Sequence, residues 1–509
     1  MLDSNPPSSC VHPTNHSGPN VNLGNDILWY IFSLNANMDL HFEQPEDTVP
    51  ALLTLRYTSQ VCSSWRELAI GSPSLWSRII DVNLLSQTGA KWRNEVIRRT
   101  GTALLDVKAS NCISSWPLAF DSLEWLLKAH WSRIRSLVLG LDDLDFYTDE
   151  ERWIRLFERP APSLEIFKFL GRDRPEFVTA PSFVLFSNTA PALRTLYAAH
   201  MRLNFNAFRT PNLCHLVIHS PVSTLDLLNA LSQLHVLESL ETWGPQPFIP
   251  AQDAQDPLPL ATLPQLTQIK FESIFDCADL SLSVLAHIMP AKGCILNFLA
   301  TYQEETPGAS TSTILSTYLT HYIAFKPITN IELTLYGDFI LLEASKASSK
   351  AFSFGLNNKS DMGEFSKHIV SILLSAFSTA GLTTTRTLTL NFSAKEAHSQ
   401  KFTDILGFIR RLVSVEELKC NFSTLNFLHD VLLSPEAVVL PKLKAMYLKR
   451  INGLYPLSKV ADLIKGRIGL GVPPETLIIE VDRSASVEVE TLRNACAAVG
   501  VNVEVIITT

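Results

Sequence analysis

The sequence has few charged residues and no paired cysteines, and both scarcities narrow the kinds of protein it can be. Charged residues make up 18% of the 509 residues and hydrophobic residues 46%, a balance that excludes wholesale disorder. The formal net charge of −8 leaves no basic surplus for a nucleic-acid backbone, so no nucleic-acid partner is expected. The 8 cysteines form no Cys-x-x-Cys pair, which is typical of reduced thiols and disfavours a structural zinc site.

Targeting and membrane signals are also missing. Residues 1–22 have neither the basic start nor the apolar core of a signal peptide, and their proline, serine and asparagine content predicts a disordered tail. The longest apolar run, from Ile369 to Leu382, contains serines and is shorter than the roughly 20 residues that a membrane span requires. We therefore expect a cytoplasmic and/or nuclear protein with no membrane partner.

No motif in the chain supplies catalytic chemistry. A glycine-rich phosphate loop, a G-x-S-x-G turn and an H-E-x-x-H helix are all missing. His215 and His219 are four residues apart, but they fall on a predicted strand without a nearby acidic third ligand, so no metal site is expected. The sequence predicts a protein that is not an enzyme and has no cofactor.

The most informative segment of the sequence runs from Ser59 to Ile79. It combines an apolar stripe with helical spacing, a signal that ends the helix and a signal that starts the next helix. Apolar residues recur at three- and four-residue intervals, which places them on one face of a single helix. These residues are Tyr57, Val61, Cys62, Trp65, Leu68 and Ala69. The helix is predicted to end at Gly71, in the left-handed conformation that glycine tolerates, and Ser72-Pro73 starts the next one.

A further amphipathic helix precedes this segment, with Asn25 as its predicted N-cap. Its apolar positions lie on one stripe and are Ile27, Leu28, Ile31 and Phe32. Residues 35–50 are acidic and contain proline, which predicts an inserted loop. Residues 23–82 are therefore expected to form a small three-helix domain, of a size that is marginally stable without a partner or an attached neighbour.

These residues resemble the F-box proteins, in particular the large fungal, basidiomycete-type class in which a short F-box precedes leucine-rich-like repeats. The matching positions are Ile27-Leu28, Ile31-Phe32, Val61-Cys62, Trp65-Arg66, Leu68-Ala69 and Pro73 to Trp76. The resemblance implies docking to the adaptor subunit of an SCF-type cullin-RING ubiquitin ligase. The implied adaptor-binding residues are Ile27, Leu28, Ile31, Phe32, Val61, Leu75 and Trp76, whereas Trp65 is expected mainly in the core.

From about residue 100 the chain repeats a degenerate Leu-x-x-Leu-x-Leu element every 20 to 30 residues or so. The element recurs in SRIRSLVLG, PSLEIFKFL, PALRTLYAA, PNLCHLVIH, HVLESLETW, PQLTQIKFE, PITNIELTL, TTTRTLTLNF, SVEELKCNF and PKLKAMYLK. CILNFLA and KAFSFGL are the candidates for strands in two longer gaps, and ETLIIEV and VNVEVIIT for the last strands. Helix-compatible stretches lie between them, so residues 83–509 are predicted to form a leucine-rich-repeat-like solenoid with a parallel strand ladder and outer helices. The predicted fold class is thus α + α/β.

Residues that alternate with the buried leucines are expected to point to the concave face of this solenoid, where charged and aromatic side chains suit protein recognition. The predicted target-binding residues are Lys168, Tyr197, His215, His219, Trp243, Lys270 and Tyr447.

Together these patterns predict a substrate-receptor subunit that holds an adaptor through its first domain and an unknown target protein through its repeats. An alternative is a non-catalytic leucine-rich-repeat scaffold whose F-box no longer engages the ligase. The start of the first helix, Leu23 to Asp26, favours that alternative because it lacks the family's proline and glutamate. A third possibility, an enzyme with a diffuse site, has no supporting motif.

Overall fold

The computed structural model describes most of the chain, with gaps between its elements. The described residues are 23–36, 38, 49–87, 89–109, 116–141, 150–171, 183–199, 201, 203–205, 209–244, 247–250, 257–273, 278–302, 310–336, 339–346, 352–358, 367–379, 382–393, 402–433, 438–451, 457–482 and 486–508. The predicted tail over residues 1–22 and most of the predicted loop over residues 35–50 lie outside them.

The chain divides into two compact units, Met1–Leu126 and Leu127–Thr509. The helices are α1 Asn25–Asn35, α2 Ala51–Thr58, α3 Ser63–Ile70, α4 Pro73–Ser77, α5 Val82–Gln87, α6 Ala90–Arg99, α7 Trp116–His130, α8 Glu150–Phe157, α9 Thr224–Leu231, α10 Ala278–Ala286, α11 Ser310–Ile323, α12 Lys367–Thr379, α13 Phe402–Arg411, α14 Phe422–Leu432, α15 Leu457–Gly469 and α16 Ser486–Ala497.

The strands are short and lie mostly in the second unit. They are β1 Ile80–Asp81, β2 Leu105–Ala109, β3 Ile134–Leu141, β4 Ile166–Gly171, β5 Thr195–Ala198, β6 His215–Ile218, β7 Val222–Ser223, β8 Ser239–Gly244, β9 Phe248–Ile249, β10 Ala261–Thr262, β11 Gln268–Ser273, β12 Ile288–Met289, β13 Ile295–Tyr302, β14 Asn330–Tyr336, β15 Phe339–Ser345, β16 Phe352–Asn358, β17 Thr387–Phe392, β18 Glu417–Asn421, β19 Ala445–Ile451, β20 Thr476–Asp482 and β21 Asn502–Thr508. Every Leu-x-x-Leu-x-Leu segment singled out in the sequence contains one of them.

The apolar stripe from Tyr57 to Ala69 does not form one helix, so that prediction is wrong. A turn separates α2 from α3, and the chain is extended at Cys62, with φ −153° and ψ 173°. The Ser59 hydroxyl donates to the Arg56 carbonyl at 2.7 Å, which stabilises this turn locally. The two short helices pack against each other and against α1.

The predicted ends and starts of these helices lie at or next to the observed ones, but part of the predicted backbone geometry is wrong. α3 ends at Ile70 as predicted, but Gly71 has φ −73° instead of a left-handed conformation. Glycine is nevertheless required there, because a Cβ atom would lie 2.9 Å from the Glu67 carbonyl oxygen. Ser72 and Pro73 start α4 as predicted. The predicted cap Asn25 is already inside α1, whose N-cap is Gly24.

The first unit extends beyond residue 82, where the sequence placed the start of the repeats. Trp76 of α4 packs edge-on against Trp92 of α6, with ring centroids 6.4 Å apart. The Arg99 guanidinium lies 4.5 Å from the centroid of the same Trp76 ring. Cation–π and aromatic contacts of this kind each contribute about 0.5–1.5 kcal/mol, so they join α6 to the preceding helices.

The second unit contains one long ladder of strands, which confirms the predicted parallel sheet. Neighbouring strands follow the order β3, β4, β5, β6, β8, β11, β13, β16, β15, β14, β17, β18, β19, β20 and β21. Every described pairing in this series is parallel except those of β15, which is antiparallel to both of its neighbours. The ladder is therefore parallel-rich and contains one reversed strand.

The reversed strand was missed in the sequence. The candidate KAFSFGL is indeed a strand, β16, but it pairs with β13 on one side and with β15 on the other. The segment FILLEAS forms β15 and alternates between buried and half-exposed residues, as an amphipathic strand does. In the sequence, Gly337-Asp338 lies between β14 and β15 and is a typical hairpin signal, but it does not belong to the repeat pattern.

The two faces of the ladder have different surroundings. Along β8 and β11 every second side chain is buried, and the ones between are half-exposed. The buried row includes Leu240, Ile269 and Leu296, each about 1.5–3 kcal/mol more stable inside than in water. Consecutive helices pack side by side, as α11 does on α12 and α12 on α13. We call the half-exposed side the open face.

Arg467 of α15 is a buried cation whose hydrogen bonds join two successive loops. Its guanidinium donates to the carbonyl oxygens of Val439 at 2.8 Å, Leu440 at 2.9 Å and Val472 at 3.2 Å. Burial lowers the pKa of this guanidinium from its ordinary value. The Leu440 carbonyl also accepts from the Leu443 backbone N–H at 3.2 Å, so Arg467 matters most for the carbonyls of Val439 and Val472.

Arg467→Met is expected to destabilise the second unit by about 3 kcal/mol or more, because buried carbonyl groups would lose their donors. Urea unfolding followed by circular dichroism measures the effect. Lys465→Met, on the exposed side of the same helix, is the matched control and should change stability by less than about 0.5 kcal/mol. Equal midpoints for the two variants would contradict the role assigned to Arg467.

Candidate protein-binding surfaces

Helix α1 carries two apolar stripes, of which only one faces the interior. Leu28 and Phe32 are buried, whereas Ile27 is 53% and Ile31 is 37% exposed. The exposed stripe follows three- and four-residue spacing and consists of Leu23 just before the helix and Ile27, Tyr30, Ile31 and Leu34 within it. A surface helix usually has polar residues on its outer side, and an exposed row of large apolar side chains marks an interaction site.

Exposed apolar side chains also occur on the elements that pack against α1. Tyr57 of α2, Val61 in the turn and Ile70 of α3 all belong to this group, and Val61 is 63% exposed. Charged residues also occur on these helices, namely Asp26 of α1, Arg56 of α2 and Arg66 and Glu67 of α3. The exposed apolar side chains of the first unit therefore lie beside a few charged ones.

The structure separates the predicted adaptor-binding residues into two groups. Ile27, Ile31 and Val61 are exposed, as a docking role requires. The buried group consists of Leu28, Phe32, Leu75 and Trp76. Side chains in the interior cannot contact a partner while the unit stays folded, so a direct docking role for these four residues does not agree with the structure.

Packing explains why the second group faces inward. Phe32 meets Trp65 edge-to-face, with ring centroids 5.2 Å apart, and Trp65 is half-buried in that contact. The Trp76 indole N–H donates to the Ala69 carbonyl at 2.8 Å, which anchors α4 to the end of α3. These residues hold the short helices together and thereby orient the exposed stripe.

The open face of the second unit is organised in rows that cross the strands. From β4 to β21, the pairing register places one residue of each ladder strand in a central row. In ladder order the central row reads Lys168, Tyr197, Val217, Glu241, Lys270, Asn297, Ser353, Glu343, Glu332, Thr389, Lys419, Tyr447, Ile478 and Glu504.

Most of the predicted target-binding residues lie on this face. The central row contains Lys168, Tyr197, Lys270 and Tyr447, all half-exposed. His215 precedes the row by two residues and is exposed, and Trp243 follows it by two residues and is half-exposed. His219 lies just after β6 and is only 5% exposed, so the expectation that it contacts a target does not agree with the structure. Stacking against two neighbouring aromatic rings buries it.

Tyr197, His219 and Trp243 form an aromatic cluster. The His219 ring centroid is 4.8 Å from that of Tyr197 and 3.8 Å from that of Trp243. Burial raises the pKa of the Tyr197 hydroxyl, and the charge of Glu241 adds to the rise, although a hydrogen bond with Trp243 opposes it. Tyr197 is therefore a neutral phenol at physiological pH, and Tyr197 and Trp243 form a half-exposed aromatic surface around the buried His219 ring.

Lys270 lies beside this cluster between two carboxylates. Its amine is 2.7 Å from Glu241 Oε1 and 3.7 Å from Glu272 Oε2. Burial opposes the charged amine, but the hydrogen bond to Glu241 and the charges of both glutamates outweigh burial and raise the pKa of Lys270. The positive charge of the Lys270 amine is thus compensated by neighbouring carboxylates on the open face.

Glu332 and Glu343 face each other directly across the antiparallel pair of β14 and β15, and we call them the acidic pair. Asn391 donates to Glu332 Oε1 at 2.9 Å. Burial raises the pKa of the Glu343 carboxyl, and the negative charge of Glu332 raises it further. Glu343 was missed in the sequence together with β15.

The raised pKa of Glu343 predicts a pH-dependent stability. Between the ordinary value of 4.5 and the folded-state pKa, the native protein binds more protons than the unfolded chain, so stability falls as pH rises through this window. Glu343→Gln should therefore raise the urea midpoint at neutral pH, and the gain should shrink as the pH approaches the ordinary value. Glu504→Gln, at an exposed position of the same row, is the control. A lower midpoint for Glu343→Gln at neutral pH would contradict this account.

Among the described residues, no group of three or more histidine, cysteine or acidic side chains converges in a way that could hold a metal ion. None of the helices in the described part of the chain has the length and apolarity to cross a bilayer. No protein-family model and no curated protein matches the sequence.

Proposed function

We propose that this chain is the substrate-receptor subunit of an SCF-type cullin-RING ubiquitin ligase. The exposed stripe of α1, with Val61, would bind the adaptor subunit, and the open face of the ladder would bind a target protein as a leucine-rich-repeat-like solenoid does. The observation that carries the proposal is the second apolar stripe of α1, formed by Ile27, Tyr30, Ile31 and Leu34. It lies in the segment that resembles an F-box.

The stripe has the composition of a stable interface. Aliphatic and aromatic anchors supply most of the binding energy in such interfaces, and a few of them usually dominate. Short helices such as α2, α3 and α4 bury little surface by themselves, so covering the stripe would also stabilise the unit. Both effects favour an obligate or long-lived partner.

The proposed role requires no chemistry from this chain. A receptor acts by holding a target lysine close to a ubiquitin-carrying enzyme, which raises the effective concentration of the reacting groups. We place this role in the cytoplasm and/or the nucleus. Free thiols among the described residues support that location, and they belong to Cys62, Cys214, Cys294, Cys420 and Cys496.

The alternative function is a non-catalytic scaffold that does not engage the ligase. It is favoured by the burial of Leu28, Phe32, Leu75 and Trp76, which leaves fewer of the family's docking residues on the surface. In that case the repeats would still bind a protein, and the stripe of α1 would have a different partner.

The double substitution Ile27→Asp and Ile31→Asp separates these functions. Each isoleucine would bury much of its exposed area against the adaptor, and a fully buried side chain contributes about 1.5–3 kcal/mol. Together with the desolvation of two carboxylates, we expect the substitution to weaken adaptor binding at least about 100-fold. Titration of the full chain with purified adaptor, by calorimetry or pull-down, measures the change.

Val413→Asp is the matched control, because Val413 is an exposed apolar residue of the second unit. It should leave adaptor binding unchanged. If the unsubstituted chain does not bind the adaptor, or if the double variant binds equally well, the ligase proposal fails and the scaffold remains.

A further inference from the structure

One part of the open face differs from the rest in its charge, and we call it the acidic window. It consists of the open-face residues of β8, β11, β13, β16, β15 and β14. Its charged side chains are Glu241, Lys270, Glu272, Glu343 and Glu332. Carboxylates outnumber amines there, and the remaining side chains include uncharged polar groups such as Asn297 and Ser353. On β18 and β19, by contrast, lysines balance the glutamates.

We propose that the acidic window binds an extended, basic segment of the target protein, with arginine or lysine side chains seated at the acidic pair and at the aromatic cluster. The inference rests on the proposed function in so far as the segment belongs to the target of the ligase. It adds the chemical class of that target, which the repeat pattern alone does not indicate.

The acidic pair has the geometry to receive a cation. Side chains directly opposite each other in an antiparallel pair have Cβ atoms about 4.5–5.5 Å apart, so a single guanidinium can reach both carboxylates. Within the described part of the chain, neither Glu332 nor Glu343 forms an ion pair with a lysine or an arginine. Like charges placed opposite each other repel, and a bound cation would remove that repulsion.

The aromatic cluster points independently to the same kind of ligand. Trp243 and Tyr197 are half-exposed, and the faces of such rings attract ammonium and guanidinium groups. Lys270 does not compete for the site, because Glu241 holds its amine at 2.7 Å. Two carboxylates, those of Glu241 and Glu272, and the single Lys270 amine leave one net negative charge beside the rings, which favours a cation over a neutral side chain.

The distance between the two features fits a short peptide. From Trp243 on β8 the ladder continues through β11, β13 and β16 to Glu343 on β15, which at the usual strand spacing is about 19 Å. An extended chain rises about 3.3 Å per residue, so roughly six residues bridge the two features. A segment that crosses the strands and carries a cationic side chain near each end can contact both.

Fluorescence anisotropy with the full chain tests this proposal. The probes are three labelled, end-capped peptides of eight residues, in which the first and seventh positions are both arginine, both glutamine or both glutamate and the others are alanine and serine. We expect the arginine peptide to bind at least about tenfold more tightly than the glutamine peptide and to weaken as salt is added. The glutamate peptide should bind least.

Two variants locate the binding. Glu332→Gln with Glu343→Gln should weaken binding of the arginine peptide about tenfold, as should Trp243→Leu. Glu504→Gln, on the same row but outside the window, should change it less than about twofold. The glutamine pair relieves a repulsion, so its urea midpoint at neutral pH should not fall, and lost binding cannot then be attributed to unfolding.

The result of the peptide-binding experiment does not depend on whether the chain binds the adaptor, so the two proposals can fail independently. Adaptor binding by the glutamine-pair variant should equal that of the unsubstituted chain, whereas Ile27→Asp with Ile31→Asp should leave peptide binding intact. Equal binding of the arginine and glutamine peptides, tighter binding of the glutamate peptide, or no effect of the glutamine pair would overturn the basic-segment proposal while leaving adaptor docking untouched.

Discussion

The register of the parallel ladder is the constraint on which the second unit depends. A single strand cannot bury its apolar face, so each buried leucine must align with the one before it, as Leu216 aligns with Leu240 and Leu240 with Ile269. The same register places the intervening residues in rows on the open face. A one-residue slip would turn every buried leucine outward and would also dismantle the row that runs through Lys270.

The strands could be predicted because this constraint is visible in the sequence. Leucine at recurring intervals, with alternation inside each segment, located most of the ladder strands, and the candidate strands for the two longer gaps and for the last repeats located the others except β15. β15 was missed because β14, β15 and β16 are consecutive strands that pair in antiparallel fashion, and their spacing departs from the repeat period. The acidic pair was missed with it, since the antiparallel pairing of β15 places Glu343 opposite Glu332. No spacing in the sequence connects two glutamates across an unrecognised hairpin.

The first unit shows a different limit. Helix α1 is apolar on two sides, so periodicity identified Ile27, Leu28, Ile31 and Phe32 as a group without showing which of them face inward. That choice depends on tertiary contacts such as the one between Phe32 and Trp65. Similarly, the turn between α2 and α3 interrupts a stripe that looked continuous. Buried and exposed apolar residues alternate along this one short helix, and only packing distinguishes them.

The first unit thus carries an exposed apolar stripe and the second unit a polar, acidic face, and we propose that each binds a different protein. The central claim is that the outer stripe of α1 is covered by an adaptor in the working complex. Hydrogen–deuterium exchange of the full chain, with and without purified adaptor, tests this most directly. The account predicts slower exchange within Asn25–Asn35 and around Val61 on complex formation. Unchanged exchange there, or protection confined to the ladder strands, would contradict it.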